Sequence, residues 1–235
     1  MGFAAALIDL LAPDACAVCR APGEALCGAC LGGLAWMDGP RCGRCGHPTP
    51  VPAPRCPECI PGIAWAAQAC VYGDAEAVVL GALKDRGRRP LAAALARAVV
   101  ARCPPPPGDA VLVPVPLTPA RRARRGFNQS ALLAHQLGSA WGNPVGHDLL
   151  SRVRDGSPQR GSGSEARRRQ VAGAFEVRGP IPGRVWLVDD VITTGATLRA
   201  CAHPLRTGGA RLVGAVAFAR VAPAYRAIGG RPARG

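Results

Sequence analysis

A chain of 235 residues has room for one good core and a small accessory module. Its 29 Lys+Arg against 15 Asp+Glu give a formal charge of +14, which draws polyanions such as nucleic acid or phosphorylated small molecules, while 4% aromatic content leaves few rings on which bases could stack. No apolar run approaches a membrane span, and residues 1–12 lack a basic leading segment and are interrupted by Asp9, so neither stable membrane insertion nor a signal peptide is expected and the setting reads as cytoplasmic.

Residues 3–11 suit a short amphipathic helix, with Phe3, Leu7, Leu10 and Leu11 on one face. Eight of the 11 cysteines then fall in four C-x-x-C pairs: Cys16/Cys19, Cys27/Cys30, Cys42/Cys45 and Cys56/Cys59. Few apolar residues separate them, so the segment needs a staple, and tetrahedral zinc held by four thiolates supplies one. Two structural zinc ions are expected. Neighbouring pairs would share an ion (Cys16, Cys19, Cys27, Cys30 and Cys42, Cys45, Cys56, Cys59), with an interleaved arrangement as the alternative that spacing leaves open. Cys70, Cys103 and Cys201 read as small buried hydrophobes.

From residue 63 the pattern changes. Residues 63–72 read as a strand, and a helix follows with Asp74 as its N-cap and Val79 and Leu83 on one face, ended by LKDRGRRP at 83–90. Residues 91–102 form an apolar helix, Pro104–Pro107 a stiff linker and AVLVPVP at 110–116 a buried strand. A basic run of Arg121, Arg122, Arg124 and Arg125, whose plainest reading is a solvated loop, leads through Gly126-Phe127-Asn128-Gln129-Ser130 into a helix with Leu133, Leu137 and Trp141 on one face. DLLSRV at 148–153 is a short strand, residues 154–170 a polar glycine-rich loop, residues 210–221 a final strand and residues 223–235 a Pro/Gly/Arg-rich tail. Strands alternating with helices indicate a parallel α/β sheet.

The most informative stretch is VWLVDDVITTGATL at 185–198. Val185–Val188 read as a strand buried on both faces, followed by the acids Asp189 and Asp190, a turn of Thr193, Thr194, Gly195, Ala196 and Thr197, and a segment helical in composition as far as Pro204. A turn opening a helix offers unpaired N–H groups to a phosphate, and Gly195 lets the backbone come close. Carboxylates beside such a cradle repel phosphate but accept hydrogen bonds from sugar hydroxyls or hold magnesium through water. A ribose 5-phosphate bearing a pyrophosphate combines these parts.

The stretch resembles the signature of the type I phosphoribosyltransferases. With the four knuckles, L-K-D-R-G-R-R at 83–89, V-P-V-P-L, R-R-A-R-R-G-F-N-Q-S and R-R-R-Q, the likeness is to the ComF family and covers roughly residues 14–221. It implies a type I phosphoribosyltransferase-like parallel sheet flanked by helices over 63–222, a double zinc ribbon within 1–62 and a disordered tail at 223–235. By the same resemblance Asp189 and Asp190 hold the ribose hydroxyls as the catalytic pair, Thr193–Thr197 hold the 5-phosphate, and the loop Lys84 through Arg88, with Lys84 beside Arg86, meets the pyrophosphate of a donor that brings Mg²⁺. On local grounds Lys84 equally complements its helix dipole. Arg121, Arg122, Arg124 and Arg125 would face pyrophosphate or a nucleic-acid backbone, and residues 154–170 stand where such enzymes carry a closing loop. Arg167, Arg168 and Arg169 fit an exposed helix face as well.

The family implies phosphoribosyl pyrophosphate as ligand, a link to DNA uptake in natural competence and, as partners, single-stranded DNA and a competence helicase or other uptake proteins, with a peripheral place at the inner membrane as one setting. Turnover as a glycosyltransferase stays open, because no segment reads as a nucleobase-binding hood. A non-enzymatic DNA-handling protein that keeps the site as a sensor is the alternative. Glutamine-dependent amidotransfer is disfavoured, since the first cysteine, Cys16, already belongs to a knuckle.

Overall fold

The computed structural model describes residues 15–153 and 173–222. The expected helix at 3–11, the loop at 154–170 and the tail at 223–235 lie outside them. Four strands form one parallel sheet in the order β1 (Trp65–Val71), β6 (Leu212–Arg220), β5 (Arg184–Ile192) and β2 (Val111–Pro114). Helices cover both faces, as an all-parallel sheet requires. The sheet is the parallel α/β architecture expected from the alternation of strands and helices, and a short helix, α1 (Gly28–Gly32), precedes it.

Strand alternation divides the core in two. Trp186 and Val188 of β5 and Val216 and Phe218 of β6 face α2 (Asp74–Lys84), α3 (Leu91–Arg102) and α5 (Gln129–Trp141), whose Val79, Leu83, Leu91, Leu95, Leu133 and Leu137 are buried there. Val185, Leu187, Val213, Ala215 and Ala217 face the other way, against Leu198, Cys201 and Leu205 of α6 (Ala196–Thr207) and the antiparallel pair β3 (Leu150–Arg152) and β4 (Phe175–Val177). Gly214, in register with Trp65 and Trp186, is required by that packing: a Cβ there would lie 2.3 Å from Trp186 Cε2. Burial keeps Cys70, Cys103 and Cys201 as thiols, pushing Cys103 up to about 12 and raising the other two well above the ordinary thiol value.

Both sheet edges are covered. The segment at Trp36 bridges to β1, with Met37 N–H donating to Ala69 O (2.8 Å) and Val71 N–H to Ala35 O (2.7 Å). On the far side Leu112 of β2 bridges to Val145.

Four expectations need correction. Strand β5 does not stop before the acids but runs through them to Ile192, because Asp189 and Val191 stay in register with Ala217 and Ala219 of β6. Helix α6 continues past Pro204 to Thr207, since a proline costs the one N–H bond to the preceding turn and its ring fits near a helix end. The basic run is a helix, α4 (Pro119–Arg125), with Thr118 as N-cap and Gly126 in the left-handed conformation as C-cap. Gly73 rather than Asp74 is the N-cap of α2, where the Glu76 carboxylate accepts from Gly73 N–H (2.9 Å). Strand β4 was not foreseen.

Candidate phosphate and metal sites

Two cysteine quartets lie in the N-terminal region. Cys16, Cys19, Cys27 and Cys30 form one, Cys42, Cys45, Cys56 and Cys59 the other, each with all sulfurs within 4.8 Å of one another. Neighbouring pairs therefore combine, and the interleaved arrangement is excluded. Thiolates about 2.3 Å from a zinc ion span edges of roughly 3.8 Å in a tetrahedron. The observed separations of Cys19–Cys27 (3.7 Å), Cys42–Cys59 (3.6 Å) and Cys45–Cys56 (3.5 Å) fit that size. Each quartet contains a thiol ready to ionise: burial acts to raise Cys16 and Cys42, but backbone amides outweigh it and bring them to about 6 and about 7. Four sulfurs per ion leave no open position, so these are structural zinc sites. His47 is not a member of either quartet.

The two quartets sit on opposite faces of the sheet. Cys16, Ala17, Leu26 and Leu34 belong to the core of α2, α3 and α5. Ile60, directly after Cys59, belongs to the core of α6.

The acids emerge at the carboxyl end of β5, where open α/β sheets bind ligands. Asp190 points toward α2 and α5. Lys84, at the last turn of α2, forms an ion pair with its Oδ2, and Gln129 Nε2 donates to its Oδ1 (3.2 Å). The carboxylate is only 4% exposed. Half-buried Asp189 accepts on one oxygen, Oδ1, from Ser130 Oγ (3.1 Å) and Asp190 N–H (2.9 Å). Burial, with the Asp190 charge adding to it, pushes the Asp189 carboxyl up to about 8.

The turn follows at once. Thr193, Thr194 and Ala196 are exposed, Thr197 is half-buried, and Gly195, at φ 73°, is the N-cap of α6. Thr194 Oγ1 accepts from Ala196 N–H (3.4 Å), which bends the chain into the helix. A twelve-residue helix thus directs its first amides beside the acids.

The expected basic contacts separate. Lys84 joins the acid pair, whereas the Arg86 guanidinium turns back onto Val78 O (3.2 Å). Arg121, Arg122 and Arg124 are exposed along α4. Arg125 instead leaves that surface, donating to Gln129 Oε1 (3.2 Å) and pairing with Asp85 (3.4 Å).

Gln129 and Ser130 are the site residues that sequence reasoning missed. The signal was R-G-F-N-Q-S. Gly126 ends α4, Asn128 caps α5 by accepting from Ser130 N–H (3.0 Å) while donating to Val115 O (3.0 Å), and the next two side chains reach the acids. Polar residues buried in the first turn of a helix, after a glycine and an N-cap, mark a position facing other polar groups.

Among the described residues no helix is long and apolar enough to cross a membrane. The family model for the double zinc ribbon domain matches residues 7–60. A solved structure described as an analysis of an invariant aspartic acid in HPRTs, in an asparagine mutant, is 21% identical and covers 57% of this chain and 65% of that one, with a TM-score of 0.30, too slight to carry an argument. DNA utilization protein YhgH of Salmonella typhi is 33% identical over 222 residues, 87% of this chain and 96% of that protein. Competence protein F of Haemophilus influenzae is 40% identical over 102 residues, 42% of this chain and 44% of that protein. With zinc quartets, parallel sheet and full-length relatives in agreement, the chain belongs to the ComF family.

Proposed function

We propose that this chain binds phosphoribosyl pyrophosphate with Mg²⁺ and serves DNA utilisation of the kind its relatives' names describe. One observation carries the reading: a parallel strand bears adjacent acids near its carboxyl end, and a glycine-bent threonine turn follows that strand and opens the next helix. The Thr193–Thr197 amides and hydroxyls would take the 5-phosphate, Asp189 and Asp190 the ribose hydroxyls, and Lys84 the pyrophosphate end, with Arg86 joining it only on leaving Val78 O. Among the described residues the cysteine quartets are the only candidate metal groups of three or more ligands. Magnesium would arrive with the pyrophosphate and neutralise its charge there. The reading is of donor binding. Transfer to an acceptor, and any helicase or membrane partner, would build on it.

Titration calorimetry with phosphoribosyl pyrophosphate and Mg²⁺ tests it. Asp190→Asn should weaken binding at least about tenfold, the loss expected when hydrogen bonds to a charged acceptor go, with the circular dichroism spectrum retained. Unchanged affinity in a folded variant rules the reading out.

A second reading rests on α4, which exposes Arg121, Arg122 and Arg124 and contains no acid. It would follow the backbone of single-stranded DNA. Replacing the three by alanine should reduce the slope of log affinity against log salt by about 2, at about 0.7 per phosphate contact released. An unaltered slope removes α4 from the DNA path.

A further inference from the structure

Three sets of contacts join the second cysteine quartet to the turn that opens α6. Gly195 is buried, and a Cβ on it would lie 2.5 Å from Ile60 Cγ1 and 2.6 Å from Ile60 Cδ1. The Ile60 side chain, 4% exposed, therefore lies against bare backbone in the middle of the turn. Ile60 is the residue after Cys59, a ligand of the second quartet. Gly62, at φ 84°, continues the contact, since a Cβ there would meet Ala202 Cβ of α6 at 3.4 Å.

The third set of contacts is polar. Arg220, the last residue of β6, is 2% exposed, an unusual place for a guanidinium. It donates through Nη1 to the carbonyl of Cys45 (3.0 Å) and through Nη2 to that of Glu58 (3.1 Å). These carbonyls belong to the two knuckles of the second quartet. On the sheet side Arg220 pairs in register with Ile192, and Val221 N–H donates to Ile192 O (2.9 Å). Ile192 is the residue before Thr193. The quartet is thus tied to the entry of the turn through Arg220 and to its middle through Ile60. The first quartet has no such route, being packed in the core on the opposite face of the sheet.

We infer that zinc in the second quartet sets the shape of the Thr193–Thr197 turn, with Ile60 and Arg220 as positioning residues, so that phosphate capture depends on the second zinc and not on the first. As a statement about ligand binding this rests on the reading of the turn as a phosphate cradle; as a statement about the backbone it stands without it. Four thiolates fix the knuckles, the knuckles fix Ile60 and the two carbonyls, and these hold a glycine turn that has few contacts of its own. A turn held from outside can be lost without unfolding the sheet.

Hydrogen exchange of the amides at 191–198 in the zinc-loaded protein without ligand tests the inference. Ile60→Ala should keep both zinc ions, measured by elemental analysis, and exchange these amides at least about tenfold faster, with β5 residues 185–188 unaffected. Ile60→Val should restore most of the protection. Cys56→Ser/Cys59→Ser should accelerate the same amides and Cys27→Ser/Cys30→Ser should not. Unchanged exchange in Ile60→Ala, or equal acceleration from the first-quartet variant, overturns the inference. Because no ligand is present, failure to bind phosphoribosyl pyrophosphate would count against the proposed function alone. If it does bind, Ile60→Ala should weaken it about tenfold.

Discussion

Removing both zinc ions with a chelator is expected to unfold residues 15–60 while the sheet survives in weakened form. The region buries few apolar side chains besides its cysteines, chiefly Ala17, Leu26, Leu34, Met37 and Ile60. That set cannot offset the conformational entropy of about 45 ordered residues at about 1.5 kcal/mol each. A structural zinc site contributes about 10–16 kcal/mol near neutral pH, comparable with the whole stability of an ordinary domain of about 5–15 kcal/mol. Metal loss is thus the largest single perturbation open to this molecule. Acid should produce it too, because protons compete for the thiolates. Thermal denaturation followed by circular dichroism, with zinc release read by a colorimetric chelator, checks this. A melting curve unchanged after complete removal of zinc would show that the quartets are dispensable for folding.

Lys84→Met is expected to destabilise the protein by about 3–5 kcal/mol, the usual cost of breaking a buried ion pair from one side. Asp190 is 4% exposed and its Oδ2 makes no hydrogen bond beyond the Lys84 ion pair, so the variant strands a carboxylate whose remaining polar partner is Gln129. Adding Asp190→Asn should recover most of the loss, leaving about 1 kcal/mol, because the double variant has no stranded charge. Urea denaturation of the wild type, both single variants and the double variant gives the cycle. Additive single effects would mean that the pair is not coupled. The same pair bears on ligand capture. On the proposed reading, a sugar hydroxyl reaching Asp190 would compete with the Lys84 ammonium already paired with it, so Lys84→Met should also alter affinity for the ligand.

Much of this was legible in the sequence because it rests on local chemistry. Four C-x-x-C pairs name their metal, while the choice between neighbouring and interleaved partners comes only from the folded positions of the sulfurs. Val185–Val188 reads as a doubly buried strand, and Gly195 marks the left-handed residue from which α6 starts. What escaped was set by distant contacts. The acids look like the end of a strand, but the β6 ladder carries β5 beyond them. Pro204 looks like a stop, yet the helix closes around it. Arg121, Arg122, Arg124 and Arg125 look like one patch, and only packing shows that Arg125 turns inward to Gln129. Nothing near Arg220 in the sequence announces that its guanidinium clasps carbonyls 162 and 175 residues away.

The strip at Ala35–Met37 that lines β1 lies between the two cysteine quartets in the sequence. It covers an Ala- and Val-rich strand, Trp65–Val71, whose outer N–H and C=O groups would otherwise be open to another chain. The metal ions therefore guard solubility as well as shape. In a zinc-starved cell this protein would be lost first to self-association along that uncovered margin.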